Sequence, residues 1–225
     1  MDLIELFKLD NMRYNSDRLA NLIYADMIYE NTDMSWIYKY WDYLANNGVF
    51  IVQTDYHTAA RVKIILDNLY NSVFINEVIY KQEWGGVPKK GFPIKHDNIY
   101  IYSNGDDWKW YGDRIQIPKK TAGTAFDKKG TGKKTPCSVF DDLGNFSTMD
   151  KERIKNADGK NQQWQKPLKL MRRLMLPFLD AGDLVIDPFM GVGSSGVVAK
   201  EIGCYYIGIE NDPEVFELAR KNLYE

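Results

Sequence analysis

Leu184-Val-Ile-Asp187-Pro-Phe-Met-Gly191-Val-Gly193-Ser-Ser-Gly196, read together with Tyr205-Tyr-Ile-Gly-Ile-Glu210, decides the fold. An apolar, β-branched run ends on an acid, and a Gly-x-Gly-x-x-Gly turn opens a helix that runs to about Ile202 and is closed by Gly203. A second apolar run then ends on Glu210, 19 positions after Gly191. This is the unit with which α/β sheets bind nucleotides: the glycines let the backbone approach the ligand, and the terminal acid can accept both ribose hydroxyls. Two ligand classes fit that much. A nicotinamide dinucleotide would bring a pyrophosphate against Asp187, which repels it, and the stretch from Asp187 to the last residue is only 39 residues, too few for a second dinucleotide half. S-adenosylmethionine brings an adenosine, a ribose diol and an α-ammonium that Asp187 can pair. A tight turn with no ligand is the structural alternative.

Working outward, the same grammar recurs. Leu3–Leu9 and Ala20–Ala25 are apolar runs ending at Asp10 and Asp26, and both read as buried strands. From Ser35 to Leu44, residues Trp36, Ile37, Tyr40, Trp41 and Leu44 share one helical face, and Asn46-Asn47-Gly48 is expected to stop that helix. Val49–Val52 is β-rich, Thr58–Tyr70 repeats the amphipathic helical pattern, and Val73–Tyr80 and Asn98–Tyr102 read as strands. Pro167 suits the first turn of a helix over Leu168–Phe178, and Asp212-Pro213-Glu214 starts the last one. Alternating strands and helices predict an α/β sheet with crossovers. Between Gly105 and Gln163 the periodicity fails, which predicts a long functional loop.

Composition narrows the class. The 225 residues suit one domain, and the apolar fraction of 44% with 27% charged residues is that of a globular protein. No stretch nears the roughly 18 consecutive apolar residues of a membrane span. The start, Met1-Asp2-Leu3-Ile4-Glu5, has no basic region and does not read as a secretory signal, so a cytoplasmic location is expected. Cys137 and Cys204 are far apart, and with only His57 and His96 beside them no metal spacing arises. The net charge of −2 hides a segregation: residues 81–173 hold 20 basic and 11 acidic residues, a local +9. Such a block is the footprint of phosphate binding, with Lys89, Lys90, Lys128, Lys129, Lys133 and Lys134 as candidate DNA contacts, and a solvated lysine-rich loop is its plainer reading.

Asp187-Pro-Phe-Met-Gly-Val-Gly-Ser, preceded by Gln165-Lys166-Pro167 and followed by Tyr206-Ile-Gly-Ile-Glu210-Asn-Asp-Pro, resembles the cofactor half of the beta-class exocyclic-amino DNA methyltransferases. His96-Asp-Asn-Ile-Tyr-Ile-Tyr, Ser138-Val-Phe-Asp-Asp142 and Lys151-Glu-Arg153 are similar to segments preceding that half, so the resemblance covers nearly the whole chain. It implies a Rossmann-like methyltransferase fold in permuted order, a mostly parallel sheet with helices on both faces. It also implies one domain over 1–225, with a catalytic half at 1–104, a basic target-recognition insert at 105–163 and a cofactor half at 164–225. Asp187, Pro188, Phe189, Gly191, Gly193 and Ser194 would then surround S-adenosylmethionine, with Glu210 and Asn211 at the ribose, Lys166 and Pro167 at the methionine end and Asp10 near the adenine. A turn cap is the other reading of Asp10.

The family's catalytic motif, an acid, serine or asparagine followed by Pro-Pro and an aromatic, corresponds to Asp26-Met27-Ile28-Tyr29, which lacks both prolines. The aspartate resembles the adenine-modifying members. The implied activity is methyl transfer to the adenine N6 amino group of a base flipped out of double-stranded DNA. Cytosine N4 is the alternative target, a non-catalytic binder the alternative class, and a homodimer is open.

Overall fold

The computed structural model describes residues 3–27, 33–82, 86–128, 130–144 and 146–225. The first two apolar runs form β1 (Ile4–Lys8) and β2 (Ala20–Asp26). They are followed by α1 (Ser35–Trp41), β3 (Leu44–Thr54), α2 (Ala59–Asp67), β4 (Ser72–Lys81) and β5 (His96–Asn104). Next come the short strands β6 (Ile117–Pro118), β7 (Lys133–Lys134) and β8 (Val139–Phe140). The chain closes with α3 (Leu168–Met175), β9 (Leu184–Asp187), α4 (Ser194–Ile202), β10 (Tyr205–Glu210) and α5 (Pro213–Tyr224).

The main sheet runs β1-β10-β9-β2-β3-β5-β4-β8. Pairings from β1 through β3 are all parallel, β3-β5 and β5-β4 are antiparallel, and β8 adds to β4 in parallel, so the sheet is mostly parallel as predicted. Helices cover both faces. On one, Leu170, Met171 and Leu174 of α3, Val198 of α4 and Ala219 of α5 pack on Leu22, Val185 and Tyr206. On the other, Trp36, Ile37 and Tyr40 of α1 and Val62 and Leu66 of α2 pack on Ile23, Phe50 and Ile186. From β9 the chain crosses to β10 on one side, and from β2 to β3 on the other, so the order reverses between β9 and β2. Ligands of open α/β sheets bind at such a reversal, beyond the carboxyl ends of the strands.

Two expectations need correction. The first helix ends at Trp41, and Leu44 opens β3 instead of closing α1. Leu44 is buried in either role, so its periodicity could not separate them. Asn46-Asn47-Gly48 forms an irregularity within β3, where the partners jump from Ala20↔Leu44 to Leu22↔Val49 and Asn47 takes a φ of 59°. The 105–163 segment is also more ordered than a loop. It contains the β6–β7 pair, β8 on the sheet edge, and a pin in which Lys119 reaches the buried Asp127 at 2.6 Å while Asp127 accepts the Gly132 amide at 2.7 Å. Pairings two residues long are too short to leave a period in the sequence. Among the described residues no helix is long and apolar enough to cross a membrane.

Candidate active site

Four acids mark the ends of the four adjacent parallel strands at the reversal: Asp10 just beyond β1, Glu210 on β10, Asp187 on β9 and Asp26 on β2. Between them opens a cleft of about 700 Å³, within the range of small-molecule sites. Its walls include Asp10, Asp26, Met27, Lys166, Asp187, Pro188, Phe189, Gly191, Ser194, Glu210 and Asn211, so residues predicted from opposite ends of the chain do converge. Ile28 and Tyr29 of the catalytic motif, and Lys129 of the basic run, lie outside the described residues.

The strand-to-helix turn is built around Asp187. Its carboxylate accepts the Phe189 amide at 3.0 Å and a short hydrogen bond from the Ser195 hydroxyl, which also lies 3.0 Å from the Tyr206 hydroxyl. Burial pushes the Asp187 carboxyl up to about 7. Ser195 therefore supports the acid, and both Ser194 and Ser195 line the cleft. Gly193 caps α4 with φ 80° and lies against Leu223 rather than on the cleft wall. At Gly196 a Cβ would stand 2.8 Å from Tyr206, so glycine lets α4 approach β10. Phe189 packs edge-on against Trp36, with ring centroids 5.0 Å apart.

Glu210 holds the turn from the next strand: its two carboxylate oxygens accept the Gly191 amide at 3.0 Å and the Asp212 amide at 2.9 Å. Burial raises its carboxyl. Asp10 caps a 3-10 turn by accepting the Met12 amide at 2.8 Å, and it also lines the cleft. Pro167 caps α3 without lining the cleft.

Lys166 lines the cleft and also reaches an acid at the end of β2. Its ammonium lies 2.8 Å from Asp26 Oδ2 and 3.8 Å from Asp97 Oδ2. Asp97 accepts the Gln53 side-chain amide at 2.7 Å, and Gln53 Oε1 accepts the Tyr24 hydroxyl at 2.8 Å. Burial pushes the Asp26 carboxyl up to about 6, against the opposing pull of Lys166. Asp26 Oδ1 is buried with no hydrogen-bond partner among the described residues. Gln53, Asp97 and Ser195 support this site although the sequence assigned none of them a role: Asp97 and Ser195 lie inside the His96–Tyr102 and Gly191–Gly196 segments, and Gln53 shows only as a glutamine after an apolar β run. Trp164, at the cleft rim, holds a φ of 64°, a conformation that bulky residues adopt rarely and mostly at functional sites. Lys89, Lys90, Lys128, Lys133 and Lys134 are exposed, the last two on β7.

The residues fit a ligand with positive charge at one end and hydroxyls at the other: two buried carboxylates, Asp26 and Asp187, line the cleft at a desolvation cost that a cation would offset, and Gly191 leaves open space where a Cβ would point. Among the described residues no group of three His, Cys, Asp or Glu could hold a metal.

Known proteins point the same way. A family model described as DNA methylase, of the N6/N4 type, matches residues 21–221. The type II methyltransferase M.HinfI of Haemophilus influenzae is 43% identical over 76 residues, 33% of this chain and 21% of its own length. M.HpaI of Haemophilus parainfluenzae is 24% identical over 215 residues, 95% of this chain and 62% of its own. The chain thus spans less than two thirds of either relative. In structure it is similar to the M1.HpyAVI–SAM complex, with a TM-score of 0.71 at 19% identity over 98% of this chain and 100% of that one. It is also similar to the cytosine-N4-specific PvuII DNA methyltransferase, with a TM-score of 0.69 at 14% identity over 99% and 86%.

Proposed function

The chain belongs to the N6/N4 DNA methylase family, and from that premise we propose that it transfers a methyl group from S-adenosylmethionine to the N6 amino group of adenine in double-stranded DNA. The observation that carries the reading is Oδ1 of Asp26, a buried acceptor with no hydrogen-bond partner among the described residues, on a side chain that lines the same cleft as Asp187 and Glu210.

The cofactor supplies an electrophilic methyl group on a sulfonium. Asp187 would pair the ammonium of the methionine end, and Glu210 would accept from the ribose hydroxyls. An aromatic amine is a weak nucleophile until its hydrogens are held and its lone pair aimed. Asp26 Oδ1 accepts one amine hydrogen and the Met27 carbonyl accepts the other. The Met27 amide is itself bound to the Gln53 carbonyl at 3.3 Å, which fixes this backbone without the family's prolines. Methyl transfer to the amine would release one amine proton as the cofactor leaves as its thioether, and the Asp26 carboxylate would accept that proton. The base reaches the cleft only when rotated out of the helix, where the Tyr29 ring would stack on it. The exposed lysines of 81–173 would hold the phosphates.

Purified protein incubated with tritiated cofactor and mixed-sequence DNA, followed by digestion to nucleosides, tests this reading. N6-methyldeoxyadenosine is the expected product. N4-methyldeoxycytidine would move the target to cytosine, and cofactor binding without incorporation into any DNA would overturn the catalytic reading.

A further inference from the structure

Three adjacent strands place polar side chains at one level of the sheet's edge. Asp26 on β2 is in register with Gln53 on β3, and β5 begins beside them, with Asn98 opposite Thr54 and Asp97 next in line. Gln53 and Asp97 are almost fully buried in this otherwise apolar sheet, which is costly unless each is bonded. Each is. Tyr24 donates to Gln53, Gln53 donates to Asp97, and Asp97 and Asp26 face the ammonium of Lys166. One buried cation thus bridges two carboxylates. Its closer contact takes Asp26 Oδ2, leaving Oδ1 as the acceptor without a partner among the described residues.

We propose that Lys166, held from behind by Asp97 and Gln53, is a positioning residue that fixes the rotamer and ionisation of Asp26 so that Oδ1 is offered to the target amine. This deepens the methyl-transfer reading and rests on it. It assigns Lys166 to the catalytic aspartate instead of the methionine end of the cofactor. Asp97 orients the ammonium and at the same time competes for it, so the two partners act on Asp26 with opposite sign. The charged and titratable groups facing this centre are Lys166 ahead of α3, Asp97 on β5, Asp187 on β9, Tyr24 on β2 and Tyr80 on β4.

The test titrates Asp26 in the free protein by carbon NMR of labelled aspartate carboxyls, with the resonance assigned by Asp26→Asn, beside the pH profile of kcat and the cofactor Kd by calorimetry. Lys166→Met should raise the Asp26 midpoint and the acid limb of kcat by about one pH unit or more, the effect of losing an opposite charge within 4 to 6 Å. Asp97→Asn should move both downward while lowering kcat. Lys166→Arg should restore the wild-type midpoint, and cofactor Kd should change less than about threefold in all three variants. If Lys166→Met does not fold, the downward shift in Asp97→Asn decides. Unshifted midpoints, or a Kd weakened tenfold with kcat intact, overturn the assignment and return Lys166 to the cofactor. Because the NMR titration needs no turnover, a wild type that never methylates would defeat the functional reading while leaving the Asp26 shifts measurable.

Discussion

Replacing Asp187 with asparagine should stabilise the protein and weaken its function, and the size of the first effect follows from burial. The carboxyl is pushed from 3.8 to about 7 because its charged form is desolvated. Asparagine keeps one oxygen, for the Phe189 amide, and turns its NH2 toward the Ser195 oxygen, which can accept from it while the Ser195 hydroxyl turns to Tyr206. In the folded protein the aspartate holds its proton to higher pH than in the unfolded chain, so unfolding releases a proton between about pH 4 and 7, and stability is lost as pH rises through that window. A shift of three units corresponds to about 4 kcal/mol in full. Between pH 5 and pH 8 the wild type should lose about 2 to 3 kcal/mol more than Asp187→Asn. Urea unfolding of both proteins at the two pH values, without cofactor, measures this double difference. Calorimetry should show S-adenosylmethionine binding weakened by about 1 to 3 kcal/mol in the variant, the range for a missing charge-assisted hydrogen bond. Parallel stability curves from pH 5 to 8 would refute the reasoning, because they would mean that Asp187 is ionised in the free protein at no cost.

Turnover should fall as pH drops through about 6, where Asp26 gains a proton, and Asp26→Ala should abolish it and, by removing the nearer acid partner of the buried Lys166 ammonium, also destabilise the fold by about 3 to 5 kcal/mol; a pH–rate profile with paired denaturation checks both. Changing Lys128, Lys133 and Lys134 together to glutamine should flatten the salt dependence of DNA binding by about one unit of slope for each phosphate that is no longer neutralised, with calorimetric cofactor affinity unchanged. Gly196→Ala drives a Cβ to 2.8 Å from Tyr206 and 2.9 Å from Leu223, so thermal unfolding should report about 1 to 3 kcal/mol of destabilisation.

Buried strands write themselves as apolar runs, and the acids at their ends stand out against them. Asp26, Asp187 and Glu210 are legible in the sequence for that reason, and so are α4 and its closing Gly203. What one dimension hides lies across strands. Gln53 and Asp97 look like ordinary polar residues near strand ends, and their meaning arises only when β2, β3 and β5 are set side by side. Lys166 meets an aspartate 140 positions earlier, a pairing no local pattern records. Leu44 fits the apolar face of a helix and the start of a strand equally well, so packing decides it. Ser194 and Ser195 differ only in which way the first turn of α4 points them, and the more deeply buried one belongs to Asp187.

The permuted sheet also sets a timetable. β2 is flanked by β3, which follows it closely, and by β9, whose Leu184 amide binds the Asn21 side chain across 163 residues. β1 waits still longer for β10, where the Tyr206 amide meets the Leu3 carbonyl. At roughly 5 to 20 residues per second, a chain under synthesis leaves the Leu22–Ala25 edge unpaired for about 10 to 30 seconds after it emerges. An open apolar edge of that kind is where strands from other chains add. The last strands laid down both seal that edge and complete the cleft, so a ribosome-held chain ending at residue 183 should bind chaperone and no cofactor, and cofactor retention by such a chain would show that the site forms without β9.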